Sequence, residues 1–257
     1  MMVAALMATM LTQEAVPISS PSFLVLVSSV FKLGIKASLP YYKLMTEIIP
    51  SINARTFEEV KDLVKKVEPY VKWCHLDVTD GIFSKHLTWH NPSDLPALAT
   101  KLNAEVHLMV SEPEKIIDHW LIKPIKRVIV HLEVSKDLDL VIKKCREAGV
   151  EIGLAINPET FWGLLTPWFG KVDMVQTLAV HPGPSGQEVD WPEMLGKIRH
   201  IREGCPGCTI ELDGGVNPES ALIAAEAGAD ILVAGAYIFN SSNKEKAIEE
   251  LYAASGR

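Results

Sequence analysis

The chain has 257 residues, of which 48% are hydrophobic, 22% charged and 7% aromatic. A chain this long buries most of its apolar surface, so this composition indicates one large globular domain or two small ones and excludes disordered, collagen-like and low-complexity classes. The 25 Lys and Arg residues against 32 Asp and Glu give a formal charge of -7, which leaves no broad cationic surface for a nucleic acid. A small anionic ligand stays compatible with this charge, because backbone N–H groups at helix N-termini bind phosphate.

Residues 1–44 differ from the rest of the chain and contain a single acid, Glu14. Their apolar run from Phe23 to Phe31 is roughly half as long as a bilayer span, and no positive side chain precedes it in residues 1–13. We therefore expect neither a secretory signal peptide nor a membrane anchor. A targeting or interfacial extension and a poorly ordered leader are the two remaining interpretations. We favour the leader, followed by a domain over residues 45–257.

The four cysteines, Cys74, Cys145, Cys205 and Cys208, are too few and too scattered for a disulfide framework. A reducing compartment, the cytoplasm, is therefore expected. Cys205 and Cys208 have the spacing of a redox or zinc pair, but the sequence offers no second pair, so we interpret this segment as an ordinary loop.

From Glu47 onward, short β-branched runs alternate eight times with amphipathic segments, a pattern typical of βαβ units in a parallel sheet. The predicted strands are Glu47–Ile52, Trp73–Val78, Ala104–Val110, Arg127–Leu132, Glu151–Ile156, Met174–Val180, Thr209–Asp213 and Ile231–Ala234. The predicted helices are Thr56–Val67, Ser93–Leu102, Pro113–Leu121, Leu138–Ala148, Glu159–Leu165, Pro192–Glu203, Pro218–Ala227 and Lys244–Ala253.

Eight strand–helix units predict an α/β fold, a (β/α)8 TIM barrel near the lower size limit of that fold. A doubly wound open sheet is the alternative. It has less support, because no G-x-G-x-x-G follows the first predicted strand, where a dinucleotide-binding fold would need it.

Four predicted strand residues are of metal-binding type, and active-site residues of such barrels lie at the C-terminal ends of strands. His75 and Asp77 lie two residues apart on one strand and so share a face. His107 lies on the third strand, and Asp213 ends the seventh. A lone strand histidine is more often a hydrogen-bonded core residue, but buried carboxylates are costly unless paired or metal-bound. The four together favour a site for Zn²⁺, Fe²⁺, Mn²⁺ or Co²⁺.

Glycine-rich segments follow the last three predicted strands. Glycine lets backbone N–H groups approach an oxyanion, and barrels often bind phosphate at the loops after strands seven and eight. Turns and helix caps also use glycine, so the clustering of these segments on one side of the barrel is what favours a phosphate site. The candidate phosphate-binding residues are Gly183, Gly186, Gly214, Gly215, Gly235 and Ala236.

Several segments occur in the order and spacing of a known family. They are Pro50-Ser51-Ile52, His75-Leu-Asp77-Val-Thr-Asp80-Gly81, Val106-His107-Leu-Met109-Val, Ala155-Ile-Asn157-Pro158, Val180-His-Pro182-Gly183-Pro-Ser-Gly186-Gln187, Asp213-Gly-Gly-Val-Asn-Pro and Glu226-Ala-Gly-Ala-Asp230-Ile-Leu-Val-Ala-Gly235. From about Ile48 to Phe239 the chain thus resembles the ribulose-phosphate 3-epimerases, (β/α)8-barrel isomerases of the pentose phosphate pathway.

The resemblance implies a metal-dependent enzyme that inverts C3 of a ketose phosphate, interconverting D-ribulose 5-phosphate and D-xylulose 5-phosphate through an enediolate. One divalent metal ion would be bound at the positions of His75, Asp77, His107 and Asp213. The two aspartates would also act as the acid/base pair.

Other positions carry over from the resemblance as substrate-binding residues. Ser51 matches a first-strand serine near the substrate, and Met109 matches a methionine that lines the reaction centre. The glycines at 183, 186, 214, 215 and 235 match phosphate-binding loops.

Three segments depart from the family pattern. Thr79 and Leu178 replace methionines, Gly183-Pro-Ser-Gly-Gln187 replaces Gly-Phe-Gly-Gly-Gln, and Phe83-Ser-Lys-His86 replaces Phe-Val-Pro-Asn. These departures fall on substrate-facing segments. Epimerisation of another ketose phosphate, such as allulose 6-phosphate, and a non-catalytic sugar-phosphate-binding barrel are therefore kept as alternatives.

Two further pairs of residues have open interpretations. His131 and Glu133 end the fourth predicted strand and either line the pocket or pack in the core. Trp162 and Trp168 flank a predicted helix and serve packing or subunit contacts. We expect a homo-oligomer with a small sugar phosphate as its ligand, and neither a nucleic acid nor a membrane as a partner.

Overall fold

The computed structural model describes residues 46–184 and 187–256, which belong to one compact unit, Leu44–Arg257. The predicted extension, residues 1–44, lies outside the described residues, as do residue 45, Ser185, Gly186 and Arg257. The division of the chain into an extension and a barrel domain at residue 45 therefore stays a prediction.

Eight parallel strands in the described part of the chain form a closed barrel. Each strand pairs with its neighbours in sequence, and β1 pairs with β8, as in Ile49 with Val233. This closure confirms the predicted TIM barrel and excludes the open doubly wound sheet. The strands are β1 (Glu47–Ile52), β2 (Trp73–Thr79), β3 (Asn103–Met109), β4 (Ile125–His131), β5 (Glu151–Ile156), β6 (Met174–Leu178), β7 (Thr209–Asp213) and β8 (Ile231–Ala234).

Helices connect the strands and cover the outside of the barrel. No helix within the described ranges is long and apolar enough to cross a membrane. The α-helices are α1 (Phe57–Val67), α2 (Pro113–Trp120), α3 (Leu138–Ala148), α4 (Trp191–Gly204), α5 (Pro218–Ala227), α6 (Ala236–Asn240) and α7 (Lys244–Ala254). Two 3-10 helices span Pro92–Ala97 and Trp162–Trp168.

Helix α1 shows how local sequence produces these elements. Thr56 caps its N-terminus by accepting a hydrogen bond from Glu59 N, and the Glu59 side chain returns the contact to the Thr56 backbone. Val60, Val64 and Val67 recur at helical spacing and are buried against the barrel. The cap and the apolar stripe together define where the helix begins and which face it buries.

The predicted α-helices Ser93–Leu102 and Glu159–Leu165 are wrong, because 3-10 helices occupy these connections. Pro96 lies inside the first 3-10 helix and Pro167 inside the second, two residues after the predicted end at Leu165. Proline lacks the N–H that an α-helix needs and clashes with the preceding turn, so a short, tighter helix is the better solution.

Alternation along the strands creates two apolar regions. Outward-facing strand residues pack against the helices in one large core. A second, smaller cluster fills part of the barrel interior and consists of Ile49, Ile129, Ala155, Met174, Ile231 and Val233. Because inward positions repeat every second residue, the polar side chains near the strand ends point into the same interior.

Cys205 and Cys208 form a disulfide just after α4, so the interpretation of this segment as an ordinary loop is wrong. The turn in which Cys208 N donates to Cys205 O brings the two Cα atoms to 5.4 Å, a separation that suits a disulfide. Cys74 and Cys145 are buried free thiols.

Candidate metal centre and active site

The four predicted metal ligands lie together at the C-terminal mouth of the barrel. His75 and Asp77 lie on β2, His107 on β3 and Asp213 at the end of β7. Asp77 and His107 are direct partners in the pairing of β2 with β3. One ligand atom from each of the four residues lies within 4.8 Å of the others. The structure thus brings two imidazoles and two carboxylates into reach of one cation.

Two ring nitrogens face the aspartates without a hydrogen bond. His75 Nε2 lies 3.3 Å from Asp77 Oδ1 and 3.7 Å from Asp213 Oδ2. His107 Nδ1 lies 3.3 Å from Asp213 Oδ2 and 3.8 Å from Asp77 Oδ1. Both nitrogens are buried, and neither has a hydrogen-bond partner among the described residues. Buried polar atoms are normally satisfied, so this donor set fits a divalent cation with N and O ligands.

The charges of this cluster shift one another's pKa. Burial alone would lower the pKa of His75, but Asp77, Glu105 and Asp213 outweigh burial and raise that pKa well above its usual range. Burial would raise the pKa of Asp77, whereas the two imidazoles and Ser51 hold that pKa below its usual value. Asp77 is therefore held as a carboxylate, the form that binds a cation and accepts a proton.

A buried charged network lies behind the His75 ring. His75 Nδ1 is 2.7 Å from Glu105 Oε1, and Arg127 Nη1 donates to Glu105 Oε2 at 2.7 Å. Burial, together with Glu105, raises the pKa of Glu211 well above its usual range, and Gln176 donates to Glu211 Oε1 at 3.0 Å. Sequence reasoning missed this network. Its signal was strand alternation, because Glu105 and Glu211 precede His107 and Asp213 by two residues.

His131 lies against His107 inside the barrel. The two rings are 11° from parallel, and His107 Nε2 is 2.9 Å from His131 Nε2. Glu133 Oε2 lies 3.2 Å from His131 Nδ1. His131 is fully buried and contacts a candidate ligand, which agrees with the packing alternative for this residue.

The pKa values of this pair move below their usual ranges. Burial lowers the pKa of His131 to about 4, although Glu133 opposes this effect. Burial would raise the pKa of Glu133, but hydrogen bonds from His131, Thr160 and the Asn157 backbone lower it to about 2. At neutral pH the pair therefore consists of a neutral imidazole and a carboxylate.

A cavity of about 760 Å³ opens at the mouth of the barrel beside Asp77 and Asp213, a size that suits a small-molecule ligand. No lysine or arginine of the described ranges lines it, and its polar lining includes the side chains of Asn217 and Ser241. The lining includes Ser51, Met109, Leu178, Gly183, Gly214, Gly215, Gly235 and Ala236. Gly186 lies outside the described residues.

Two of these glycines have backbone conformations that favour glycine. Gly214 and Gly215 have φ values of +103° and +68°. A Cβ atom at Gly214 would meet Val180 Cγ2 at 2.8 Å, and one at Gly215 would meet Val189 Cγ2 at 2.5 Å. Glycine at both positions therefore keeps the backbone next to the cavity in this conformation.

The segments that depart from the family pattern contact one another. Thr79 Oγ1 accepts a hydrogen bond from Thr88 N at 2.9 Å, so its hydroxyl holds the loop after β2. Ser84 Oγ in that loop donates to Pro182 O at 2.7 Å, and Asn53 Nδ2 donates to Gly183 O at 3.4 Å. The loops after β1, β2 and β6 are thus joined beside the cavity. Leu178 and Met109 both line the cavity.

Ser51 makes the most direct contact with a candidate catalytic group. Its Oγ donates to Asp77 Oδ2 at 2.5 Å. Ser51 lies near the end of β1 and lines the cavity. The residue that the resemblance places near a substrate therefore also orients one of the two carboxylates.

Comparison with known proteins agrees with this geometry. The chain is 34% identical over 215 residues to the ribulose-phosphate 3-epimerase of Bacillus subtilis, covering 80% of this chain and 98% of that protein. It is 33% identical over 213 residues to the enzyme of Chlamydia muridarum, covering 78% of this chain and 92% of that protein. It is also 33% identical to the chloroplastic ribulose-5-phosphate-3-epimerase of Arabidopsis thaliana, covering 80% and 76%.

Solved structures of lower sequence identity share the fold alone. A 3-hexulose-6-phosphate synthase matches with a TM-score of 0.63 at 16% identity and covers 81% of this chain and 99% of its own. The tryptophan synthase α-subunit of Pyrococcus furiosus matches with a TM-score of 0.62 at 12% identity, covering 80% and 98%. A sequence profile of the ribulose-phosphate 3-epimerase family matches residues 47–239. The chain belongs to the ribulose-phosphate 3-epimerase family.

Proposed function

We propose that this isomerase epimerises D-ribulose 5-phosphate at C3 to give D-xylulose 5-phosphate. The observation that carries the proposal is the convergence of His75, Asp77, His107 and Asp213 at a cavity of suitable size. Family membership supplies the substrate class, and the chemistry of the cavity supports it, because a ketose phosphate needs both a charged reaction centre and an anion site.

One divalent ion, Zn²⁺, Fe²⁺, Mn²⁺ or Co²⁺, is the cofactor of the proposal. His75 Nε2, His107 Nδ1 and the carboxylates of Asp77 and Asp213 would hold it. The bound ion would supply positive charge that stabilises negative charge developing on the substrate oxygens next to C3.

Inverting a carbon centre requires removal of a proton from one face and delivery of a proton to the other. Asp77 comes from β2 and Asp213 from β7, and both line the cavity. We assign one carboxylate to each face, so the direction of reaction decides which one abstracts the proton. Ser51 keeps Asp77 Oδ2 engaged and thereby orients that carboxylate.

The remaining cavity residues bind the substrate and exclude water. Met109 and Leu178 present apolar side chains to the reaction centre. Backbone N–H groups of the glycine-rich segments would hold the phosphate, and these segments contain Gly183, Gly186, Gly214, Gly215, Gly235 and Ala236.

An exchange assay in deuterium oxide tests this assignment. The full-length protein, loaded with one metal at a time, is incubated with D-ribulose 5-phosphate, and deuterium at C3 and xylulose 5-phosphate are measured. Asp77→Asn and Asp213→Asn should each lower turnover by about 10²- to 10⁴-fold, the range for general acid–base groups. Asp139→Asn, at an exposed position on α3, is the matched control and should keep full turnover.

Three results would contradict parts of the proposal. Near wild-type turnover in either variant would remove that aspartate from the mechanism. Exchange with another ketose phosphate, but not with ribulose 5-phosphate, would change the substrate. Stoichiometric metal binding without exchange on any ketose phosphate would indicate a binding barrel without catalysis.

A homo-oligomer is part of the proposal. Phe161 and Leu164 expose large apolar side chains next to Trp162, with 63% and 55% of their surfaces accessible, and such patches often mark interfaces. Sedimentation of the wild type should give a mass above one chain. The double variant Phe161→Ser/Leu164→Ser should shift the mass toward the monomer, and an unchanged oligomer would remove this patch from the interface.

A cytoplasmic location completes the proposal. Its support is the small number of cysteines, of which Cys74 and Cys145 are buried free thiols. Cell fractionation with an antibody against the full chain tests it, and recovery in a membrane or organelle fraction would contradict it.

A further inference from the structure

The disulfide between Cys205 and Cys208 lies in an exposed turn between α4 and β7. Pro206 and Gly207, the two residues between the cysteines, are exposed, and both cysteines are partly exposed. A Cβ atom built at Gly207 would meet no atom within 4 Å, so the turn faces open space. A small thiol can therefore approach the two sulfur atoms from solvent.

The turn lies at the end of the barrel opposite the candidate metal centre. Cys208 directly precedes β7, and Asp213 ends that strand. The five residues of β7 span roughly 13 Å. Chemistry at the disulfide is therefore separate from the proposed epimerisation.

Hydrogen bonds hold the backbone of the turn independently of the disulfide. Cys208 N donates to Cys205 O, and Cys205 N donates to Ile201 O in the last turn of α4. Arg202 Nη1 donates to Pro206 O at 2.9 Å and to Cys208 O at 2.7 Å. None of these four bonds involves a sulfur atom, so opening the S–S bond removes none of them.

The guanidinium of Arg202 is itself anchored to the barrel. Its Nη2 donates to Gly228 O at 2.7 Å and pairs with the carboxylate of Asp230. Asp230 Oδ2 also accepts a hydrogen bond from Ile210 N at 2.9 Å. Arg202 therefore joins the disulfide turn to the first residues of β7 and to the residue that precedes β8.

The disulfide closes a loop of only four residues, because the cysteines are three positions apart. Closing so short a loop restricts the unfolded chain little, so it contributes less stability than closing a long one. A reduced pair that the backbone contacts hold at the observed Cα separation of 5.4 Å stays in position to form the bond again. These properties suit a reversible bond better than a structural cross-link.

We propose that Cys205 and Cys208 form a reversible exchange site for an external dithiol, and that Arg202 positions the pair for ring closure. A thiolate of the dithiol attacks one cysteine sulfur, and the electron pair of the broken S–S bond leaves on the other cysteine, which takes up a proton. The second thiol of the reductant then attacks the mixed disulfide. The protein gains two electrons and two protons, and the dithiol becomes a cyclic disulfide.

A redox titration of the native full-length protein tests the site. The protein is equilibrated with mixtures of reduced and oxidised dithiothreitol, quenched with acid, unfolded and alkylated with N-ethylmaleimide, and its intact mass is measured. We expect two adducts, on the buried thiols Cys74 and Cys145, at low ratios of reduced to oxidised reagent. Four adducts are expected at high ratios, and the curve should be the same in both directions. The control Cys205→Ser/Cys208→Ser should give two adducts at every ratio.

Arg202→Met tests the positioning role. Without the guanidinium the reduced turn is less ordered, so ring closure loses more entropy and the disulfide becomes easier to reduce. The ratio of reduced to oxidised dithiothreitol at half reduction should fall by about tenfold. Arg199→Met, at an exposed position on the same helix, is the matched control and should keep the wild-type ratio.

Asp230→Asn provides a second, milder variant. It removes the charge that anchors Arg202 but keeps an oxygen that accepts from Ile210 N. The half-reduction ratio should therefore shift in the same direction as in Arg202→Met, by a smaller factor.

Four free thiols at every ratio, or a disulfide that opens only in denaturant or does not form again, would overturn the exchange site. Equal half-reduction ratios for the wild type and folded Arg202→Met would remove Arg202 from it. Should Arg202→Met not fold, the ratio for Asp230→Asn decides the role of Arg202. The titration needs neither metal nor sugar phosphate, so failure of the proposed function would leave its outcome unchanged.

Discussion

Ser51 and Asp77 share a hydrogen bond of 2.5 Å between Oγ and Oδ2, across the pairing of β1 with β2. Because of this contact, the two oxygens of the Asp77 carboxylate have different partners. Oδ2 is engaged by the serine, while Oδ1 faces His75 Nε2 at 3.3 Å and His107 Nδ1 at 3.8 Å. The serine hydroxyl thus decides which oxygen of Asp77 turns toward the imidazoles.

Ser51→Ala is expected to lower kcat/KM for epimerisation by about 10- to 100-fold. A hydrogen bond to a charged group contributes about 1.5–3 kcal/mol, and each 1.4 kcal/mol corresponds to about tenfold. Steady-state kinetics on the metal-loaded enzyme measures the effect. The control is Thr177→Val. It removes a buried hydroxyl on the outward face of β6 that donates a hydrogen bond to Glu211 O. Equal losses of kcat/KM in both variants would show that Ser51 has no specific role in catalysis.

Gly214→Ala is expected to destabilise the fold more than Gly149→Ala does. Both glycines have positive φ, +103° and +66°, where an L side chain costs about 1–2 kcal/mol. Only at Gly214 would the new Cβ also meet Val180 Cγ2 at 2.8 Å, whereas Gly149 has open space around it. Urea unfolding of the two variants measures the difference. Equal free energies of unfolding would show that Val180 moves aside at no cost.

The Glu133 carboxylate should make stability depend on pH in an acidic window. Its pKa is about 2 in the folded protein, below its ordinary value of 4.5. A lowered folded-state pKa contributes stability that is fully present above about pH 4.5 and is lost as the pH falls toward 2. The Tm deficit of Glu133→Gln relative to the wild type should therefore be largest near pH 6 and shrink between pH 4.5 and 3. A deficit that stays constant over this range would contradict the lowered pKa.

Arg127→Met is expected to destabilise the barrel by about 3–5 kcal/mol, the cost of leaving one partner of a buried ion pair uncompensated. Arg127 is buried over the Trp73 ring and neutralises fully buried Glu105 at 2.7 Å. It also pairs with Glu151, whose side chain is 48% exposed. Glu151→Gln, which removes this exposed partner, should cost less than about 1 kcal/mol. Chemical denaturation compares the two, and similar losses would show that the contact with His75 is enough to compensate Glu105.

Much of the barrel is predictable because its strands are short, buried and β-branched. The predicted bounds of β1, β5, β7 and β8 agree with the structure, whereas β3 and β4 begin one and two residues earlier than predicted. The prolines inside the two 3-10 helices are visible in the sequence, but the apolar residues around them have the spacing of an α-helix. The type of helix was therefore predicted wrongly. Helix α6 was not predicted, since its five residues, Ala236–Asn240, are too few to show a period.

Part of the candidate site could be predicted from the sequence, and part could not. His75, Asp77, His107 and Asp213 could be placed together because strand alternation and the location of barrel active sites are general rules. The pairing of His131 with His107, and of Arg127 with Glu105, depends on ring orientation and on side-chain reach between neighbouring strands. Those distances are set by the tilt and packing of the closed barrel, which a one-dimensional pattern does not contain.

Helix α4 begins at Trp191, directly after the loop that contains Gly183 and Gln187. Six residues later, about 9 Å along the axis, Lys197 holds the carbonyl of Asn157, whose N–H holds Glu133. Helix α4 therefore connects the loop that lines the cavity to the hydrogen bonds of Glu133, which contacts His131. The loop beside the cavity and the contacts of Glu133 are therefore joined through α4, so a mutation in either region should affect the other.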